Sequence, residues 1–298
     1  GRASWVSRGS SRAPGVRCEV MDEQSRALVD LGKALRDAGY GFVTVSPETH
    51  RRVDSRAAAA GRAQARDLRD VFGWSRPFDG GLLPPNMLEL ARRAGILAEY
   101  GALFRSRVRF SSLRGQLFVH SAYPTLAADS VFFGPDTYRF CDLVAAQVAR
   151  ARRVVDVGCG SGAGGIIASP RVEQVILADI NPAALALAEV NAALAGITDK
   201  VRTVESDVLG GVDGPIDLVL ANPPYMVDGA GRRYRDGGGE HGEGLAVRIV
   251  REALGRLEAG GKLVLYTGAA IADGGTDTFL EAVRGICADA AAAWQYWE

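Results

Sequence analysis

The second half of the chain alternates short apolar runs with segments of helical pattern, and this alternation restricts the fold more than any other feature. The runs predict five strands, at residues 154–157, 174–178, 201–204, 216–221 and 262–266. Helical segments lie between them, for example residues 182–195, with Asn181 as the N-cap and Pro182 at the first helical position. Strands separated by helices form parallel sheets with right-handed crossovers. The pattern therefore predicts an α/β fold with a Rossmann-like doubly wound sheet.

The first part of the chain has a different pattern, in which helices precede a hairpin. Leu28, Leu31 and Leu35 repeat at helical spacing, and further helices are expected at residues 53–71 and after Pro84-Pro85. Two strands are expected at 103–110 and 116–120. We therefore expect a smaller α+β accessory or substrate-binding domain over residues 21–125, ahead of a larger domain over residues 126–298.

The two ends of the chain each support a separate prediction. Residues 1–20 are rich in Arg, Ser and Gly, and we expect a disordered leader or a remnant of cloning. Residues 294–298 are expected to form a sixth strand of the sheet, after which the chain stops. The larger domain is therefore expected to lack its last strand.

Charge is distributed unevenly although the net charge is zero. Residues 1–120 hold 20 Lys and Arg against 12 Asp and Glu, and residues 121–298 hold 15 against 23. The basic half either contacts an anionic surface such as RNA or is merely a set of solvated arginine-rich helices. No run approaches 18 apolar residues, so no membrane partner is expected. The four cysteines form no CxxC pair, which predicts no metal site and reduced thiols in a cytoplasmic protein.

A glycine-rich loop, Gly158-Cys159-Gly160-Ser161-Gly162, follows the first predicted strand. Glycines permit a tight turn and let the backbone approach a ligand closely, which predicts a nucleotide-like cofactor without identifying it. Asp156 precedes the loop, where a carboxylate suits an ammonium group and repels a pyrophosphate. Asp179 ends the second strand and is placed to bind ribose hydroxyls. Asp207 follows the third strand and either meets an adenine amino group or is a turn aspartate.

The tetrapeptide Asn222-Pro223-Pro224-Tyr225 follows the fourth predicted strand directly. The Asn222 carboxamide oxygen and the Pro223 carbonyl oxygen can each accept one N–H of a planar amide or aromatic amine, which aligns its nitrogen with an activated methyl group. The two prolines stiffen the backbone, and Tyr225 offers a flat face for stacking. Taken alone the tetrapeptide is also common turn chemistry, but its position after a buried strand and downstream of the glycine loop favours methyl transfer to nitrogen.

These motifs, with Asp179-Ile180-Asn181-Pro182 and Asn191-Ala192, give residues 132–267 a resemblance to class I S-adenosylmethionine-dependent methyltransferases with an NPPY motif. The segment is similar to the HemK-like release-factor glutamine methyltransferases and to the small methyltransferase domain of ribosomal RNA N-methyltransferases. The resemblance implies an S-adenosyl-L-methionine cofactor and a catalytic role for the tetrapeptide. The cofactor-binding residues that it implies are Asp156, Gly158, Cys159, Gly160, Gly162, Asp179, Ile180, Asp207, Val208 and Asn222.

A second, looser likeness concerns Phe133-Gly134-Pro135-Asp136-Thr137, which resembles the Pro-rich segment ahead of the catalytic domain in the glutamine methyltransferases. It implies Phe133 and Thr137 as cofactor contacts; a helix N-terminus capped by Asp136 or Thr137 is the alternative. The resemblance leaves the acceptor open between a protein glutamine of release-factor type and an exocyclic base amine of RNA or DNA. A small-molecule N-methyltransferase, a non-catalytic cofactor-binding scaffold and a nicotinamide-dependent oxidoreductase, for which no acid–base pair is recognisable, are the remaining alternatives.

Overall fold

The computed structural model describes residues 21–226, 236–272 and 274–297, so the leader predicted at residues 1–20 lies outside the described residues. The described chain begins with four helices: α1 (Glu23–Asp37), α2 (Pro47–Ala59), α3 (Leu68–Phe72) and α4 (Pro85–Arg93). Two antiparallel hairpins follow, β1 (Leu97–Tyr100) with β2 (Leu103–Ser106), and β3 (Val108–Leu113) with β4 (Gln116–Ser121). The predicted α+β character of this part is confirmed.

Two predicted boundaries in this part are wrong. The single helix predicted over 53–71 is divided between α2 and α3, because Gly61 has a left-handed φ of +67° and Asp67 starts a new helix by accepting a hydrogen bond from the Asp70 N–H. The strand predicted over 103–110 is divided between the two hairpins, because the Arg107 N–H donates to the Ile96 carbonyl instead of continuing either ladder.

The second part alternates helices and strands. Its elements are α5 (Pro135–Gln147), β5 (Ala151–Val157), α6 (Ala163–Ala168), β6 (Val172–Asp179), α7 (Pro182–Ala195), β7 (Val201–Glu205), β8 (Ile216–Ala221), α8 (Gly244–Leu254), β9 (Leu257–Leu265), the short pair β10 (Ile271–Ala272) and β11 (Thr276–Asp277), and α9 (Thr278–Asp289). Strands β5 to β9 form a parallel sheet in the order β7-β6-β5-β8-β9. The predicted doubly wound α/β sheet is confirmed, with β5 at its centre.

The sixth strand predicted at the end of the chain is wrong. Residues 292–297 have no regular secondary structure, and β9 is the last strand of the sheet among the described residues. The Tyr296 hydroxyl instead donates to Oδ2 of Asp277, the residue that caps α9. The segment is thus held against the start of its own preceding helix rather than against the sheet.

Hydrophobic packing covers both faces of the sheet and joins the two parts of the chain. Along β5, Val154 belongs to the core beneath α5 and α6, whereas Val155 and Val157 belong to the core beneath α8, as the alternation of side chains in a strand requires. Val190 and Leu194 of α7 pack into the core of the N-terminal helices and hairpins. This shared packing fixes the N-terminal part against the helix that follows β6.

Candidate functional site

The glycine loop and the tetrapeptide occupy neighbouring positions at the carboxyl edge of the sheet. Val157 is paired with Ala178 of β6 on one side and with Ala221 of β8 on the other. Gly158, Asp179 and Asn222 therefore come next on three adjacent parallel strands. Ligands of open α/β sheets bind at this edge, beside a strand where the direction of winding reverses. Because β5 is that strand here, the register places the three predicted motifs around one crevice.

The loop after β5 requires glycine at several positions. Gly158, Gly160 and Gly162 have left-handed φ angles of +63°, +53° and +75°. Apart from Gly158 and its two neighbours in the chain, no described atom lies within 4 Å of the place where a Cβ on Gly158 would be, and Gly158 and Gly160 line the crevice. A Cβ on Gly162 would lie 3.0 Å from Leu177 Cδ1, so this glycine permits close packing of α6 on the sheet and is not among the lining residues.

Asp156 lies at the bottom of the crevice and is 2 % exposed. Its Oδ2 accepts a hydrogen bond of 2.7 Å from the Gly165 N–H in α6. Burial raises the pKa of Asp156 from 3.8 to about 7; the bond from Gly165 opposes this rise and the nearby Asp179 adds to it. A buried carboxylate of this kind, to which no cationic side chain of the described residues is bonded, is suited to a positively charged ligand group.

Asp179, at the end of β6, both braces the loop and lines the crevice. Its Oδ2 accepts from the Gly160 N–H at 2.9 Å, and its Oδ1 accepts from the Asn181 N–H at 2.8 Å. Burial raises the pKa of this carboxyl group against these two bonds. Each carboxylate oxygen accepts more than one hydrogen bond, so Asp179 retains capacity for ligand hydroxyls.

Asp207 and Val208 lie after β7 and also line the crevice, as does Ile180. The Asp207 carboxylate receives two hydrogen bonds from the Arg248 guanidinium of α8, at 2.8 and 3.0 Å. Val208 has a left-handed φ of +52°, an uncommon conformation for a β-branched residue. The carboxylate predicted to meet an adenine amino group is thus already oriented by an arginine.

The tetrapeptide contributes three of its four residues to the crevice: Asn222, Pro223 and Pro224 line it. Within the described parts of the chain, the Asn222 carboxamide forms no hydrogen bond, although the residue is half-buried. Tyr225 is not a lining residue. Its hydroxyl donates to Oδ2 of Asp136 at 2.7 Å, and its ring lies against Gly268.

Of Phe133 and Thr137, the two cofactor contacts predicted around the start of α5, only Thr137 lies at the crevice. The Thr137 hydroxyl oxygen accepts a hydrogen bond from the Gly134 N–H, so Gly134 is the N-cap of α5 and Thr137 lies in its first turn, whereas the prediction made Asp136 or Thr137 the cap. Phe133 points the other way, into the core, where its ring stacks on His120 at a centroid distance of 4.9 Å. Its neighbour Phe132 lines the crevice instead, since successive side chains of extended backbone point to opposite sides.

Several lining residues were missed by sequence reasoning. Among them are residues from the segment before α5 and from α8: Ser130, Val131, Phe132, Leu245 and Ile249. The last two lie on the apolar face of α8, a pattern that was visible in the sequence and could have indicated them. No sequence signal marks Ser130 and Val131. They reach the crevice because Ser121 forms two hydrogen bonds with Val131, and Asn181 Nδ2 donates to the Asp129 carbonyl.

The crevice therefore combines two buried carboxylates, a glycine loop open to a ligand, apolar walls and an unpartnered carboxamide. Across residues 21–226, 236–272 and 274–297, no cluster of three His, Cys, Asp or Glu side chains has the arrangement of a metal site. No helix in the same ranges has the length and apolar character needed to cross a membrane.

Comparison with known proteins shows what the part of the chain that carries this crevice is similar to. Residues 141–272 match the family model described as "Methyltransferase small domain". The resemblance predicted from the sequence motifs is thus confirmed for this part of the chain. The matched residues include β5 to β9, the glycine loop and the tetrapeptide.

Three curated relatives illustrate the range of this similarity. A release factor glutamine methyltransferase of Deinococcus radiodurans is 35% identical over 175 residues, which cover 54% of this chain and 62% of that protein. A ribosomal RNA small subunit methyltransferase C of Chromohalobacter salexigens is 36% identical over 40% of this chain and 32% of its own length. A tRNA1(Val) (adenine(37)-N6)-methyltransferase of Aeromonas hydrophila is 34% identical over 43% of this chain and 56% of its own length. The chain spans less than two thirds of the length of each of these relatives.

Proposed function

We propose that this protein is an S-adenosyl-L-methionine-dependent N-methyltransferase, which transfers a methyl group to a planar nitrogen. The observation that carries the proposal is the Asn222 carboxamide, which lines the crevice without an intramolecular partner among the described residues, one strand away from the glycine loop. A partly exposed carboxamide without a protein partner is free to bind water or a ligand that enters the crevice. The tetrapeptide is the catalytic segment under this proposal.

The residues of the crevice fit the methyl donor. Asp156 offers a carboxylate to the ammonium group of the aminoacyl part, and Asp179 offers acceptor capacity to ribose hydroxyls. Gly158 and Gly160 leave the backbone accessible, and Phe132, Ile180 and Val208 supply apolar walls. When bound, the cofactor supplies an electrophilic methyl group on a sulfonium.

The role of the protein in the reaction is to hold and align the acceptor. The Asn222 carboxamide oxygen and the Pro223 carbonyl oxygen each accept one N–H of the acceptor amine, which directs the nitrogen toward the crevice. These two acceptors favour the pyramidal geometry that the nitrogen adopts as its bond to carbon forms. The methylated nitrogen is acidic, so it releases its extra proton late without a strong general base. This route agrees with a crevice that presents no unpaired histidine among its described lining residues.

The acceptor class is a protein glutamine or a base amine of RNA. The named relatives are methyltransferases of release factor, ribosomal RNA and tRNA, which supports a macromolecular acceptor from either class. A specific feature favours a nucleic-acid contact: Arg51, Arg56, Arg62 and Arg66 are exposed around and beyond α2, and no carboxylate is paired with any of these four within the described residues. Unpaired arginines are suited to phosphate groups.

A labelling experiment tests both parts of this proposal. The protein is incubated with S-adenosylmethionine carrying a labelled methyl group, and with total bacterial protein and total bacterial RNA in separate reactions. We expect one pool to be labelled; labelling of RNA that declines steeply as the salt concentration rises would identify phosphate contacts. Labelling of neither pool would contradict a macromolecular acceptor and favour a small-molecule one.

Asn222→Ala provides the matching test of the site. We expect this variant to keep cofactor affinity within a few-fold of the native protein while losing turnover, because the carboxamide holds the acceptor rather than the cofactor. Asn86→Ala is the control, since Asn86 is exposed on α4. Equal loss of cofactor affinity and turnover in Asn222→Ala would make the residue structural, and retained turnover would exclude its catalytic role.

A further inference from the structure

Tyr225 of the tetrapeptide is anchored by a residue from a distant part of the chain. Its hydroxyl donates a hydrogen bond of 2.7 Å to Oδ2 of Asp136, 89 positions earlier. Asp136 lies in the first turn of α5, directly after Pro135, where the free N–H groups of a helix start stabilise a carboxylate. The next residue, Thr137, lines the crevice. The first turn of α5 therefore contacts both the crevice, through Thr137, and the tetrapeptide, through Asp136.

The remaining surroundings of Tyr225 leave it little freedom. A Cβ on Gly268 would lie 2.4 Å from the ring atom Cδ2, so this glycine backbone lies directly against the ring. A Cβ on Gly242 would lie 2.5 Å from the Tyr225 carbonyl oxygen, so a second glycine supports the backbone of the same residue. With the hydroxyl bonded to Asp136, the ring, the backbone and the polar end of Tyr225 each have a fixed neighbour.

The electrostatic environment keeps the Tyr225 hydroxyl protonated. Burial raises the pKa of Tyr225 above its ordinary value, and the hydrogen bond to Asp136 and the negative charge of that carboxylate raise it further. Arg139, whose guanidinium lies 3.6 Å from Oδ1 of Asp136, opposes this rise. The phenol is therefore a hydrogen-bond donor to Asp136 near neutral pH and does not serve as a base.

We propose that Asp136 is a positioning residue, which holds the Tyr225 ring in the orientation that presents a planar acceptor to Asn222. This inference rests on the proposed function and assigns Asp136 a role that acts entirely through Tyr225. An aromatic ring that is fixed beside the crevice before the acceptor arrives saves the cost of ordering it on binding. A displacement of about 1 Å in a positioning group can lower turnover by about a hundredfold.

A double-mutant cycle tests the inference. The variants are Asp136→Ala, Tyr225→Phe and the combination of both, with Asp136→Asn as the conservative replacement that keeps an acceptor oxygen. Asp142→Ala is the matched control, because Asp142 lies on the same helix in an exposed ion pair with Arg114. Two quantities are measured for each variant. The first is methyl transfer, as kcat and KM for the bacterial pool that the native protein labels, and the second is the equilibrium affinity for S-adenosylmethionine.

We expect Asp136→Ala and Tyr225→Phe each to lower kcat/KM for the acceptor pool by about tenfold or more, with cofactor affinity unchanged within about twofold. The double variant should be no worse than the more impaired single variant, because both substitutions remove one contact. Asp136→Asn should recover most of the activity, and Asp142→Ala should match the native protein.

Three results would overturn the inference while leaving the proposed function in place: native activity in Asp136→Ala, losses that multiply in the double variant, or an equal fall in cofactor affinity and turnover. A failure of the proposed macromolecular acceptor is distinguishable, since in that case the native protein itself labels neither pool. In that case there is no macromolecular acceptor whose orientation Asp136 could control, and the inference about Asp136 is also contradicted.

Discussion

Asn191 on α7 bonds to both backbone groups of Val119 on β4: its Oδ1 accepts from the Val119 N–H at 2.7 Å, and its Nδ2 donates to the Val119 carbonyl at 2.9 Å. The same Nδ2 donates to the carbonyl of Ser161 in the glycine loop, also at 2.9 Å. Asn191 is 1 % exposed, so water cannot replace these bonds. One amide therefore connects the N-terminal hairpin to the loop that lines the crevice.

Asn191→Leu should lower the free energy of unfolding by about 2–4 kcal/mol, because it leaves three buried backbone groups without a partner while keeping the branched shape of the side chain. We also expect weaker binding of S-adenosylmethionine, since the glycine loop loses its bond at Ser161. Urea denaturation and cofactor titration measure the two effects. Asn86→Leu on the surface of α4 is the control and should change stability by less than about 0.5 kcal/mol. A native-like Asn191→Leu would exclude this linkage.

Gly164→Ala should destabilise the protein and weaken cofactor binding. Gly164 is helical in α6, but a Cβ there would lie 2.5 Å from Phe140 Cε1 and 2.9 Å from Asp156 Oδ2, and both of those residues line the crevice. Overpacking of this kind costs about 1–3 kcal/mol. Thermal unfolding and cofactor titration provide the measurement.

Gly285→Ala is the matched control for Gly164→Ala. Gly285 is also helical, in α9, and no described atom lies within 4 Å of the position that a Cβ would take there. Alanine is the better helix former, so this variant should be more stable by up to about 1 kcal/mol. Equal effects of the two substitutions would show that helix propensity, rather than the contacts of Gly164, determines the result.

Asp156→Asn should stabilise the protein in a pH-dependent way. The pKa of Asp156 is raised from 3.8 to about 7 in the folded state, so the native protein loses stability from this group as the pH rises through that interval. The amide of the Asp156→Asn variant does not ionise, so the variant does not lose this stability as the pH rises. The stability difference between the variant and the native protein should therefore grow between about pH 4 and pH 7 and remain constant above. A difference independent of pH, measured by urea denaturation, would exclude a buried charge as its cause.

Cofactor affinity in the native protein should depend on the same carboxyl group. A cationic ammonium group binds the ionised form of Asp156 preferentially, so S-adenosylmethionine should bind more weakly as the pH falls below about 7. In Asp156→Asn the affinity should be lower at neutral pH and this part of the pH dependence should disappear. Calorimetric titration from about pH 5.5 to about pH 8.5 would contradict the assignment if both proteins showed the same profile.

The alternation of apolar runs and helices was sufficient to predict the sheet of the second part. Helix α7 and strand β8 have the predicted bounds, because Asn181 caps the helix and local β-rich runs form the strand. The N-terminal part was predicted less well. Arg107 and Gly61 interrupt elements that periodicity alone had joined, and β1 was missed because its pairing with β2 depends on a tertiary arrangement.

The prediction of the site also succeeded where local pattern was enough and failed where tertiary packing decided. Motif order in the sequence determined that the glycine loop, Asp179 and Asn222 lie together, because the carboxyl ends of adjacent parallel strands meet at one edge. Only the tertiary structure decided which way neighbouring side chains point: Phe132 lines the crevice while Phe133 is buried, and Tyr225 bonds to Asp136. Strand order follows from local pattern and chain direction, whereas side-chain direction and contacts between distant segments follow from packing, which no local pattern encodes.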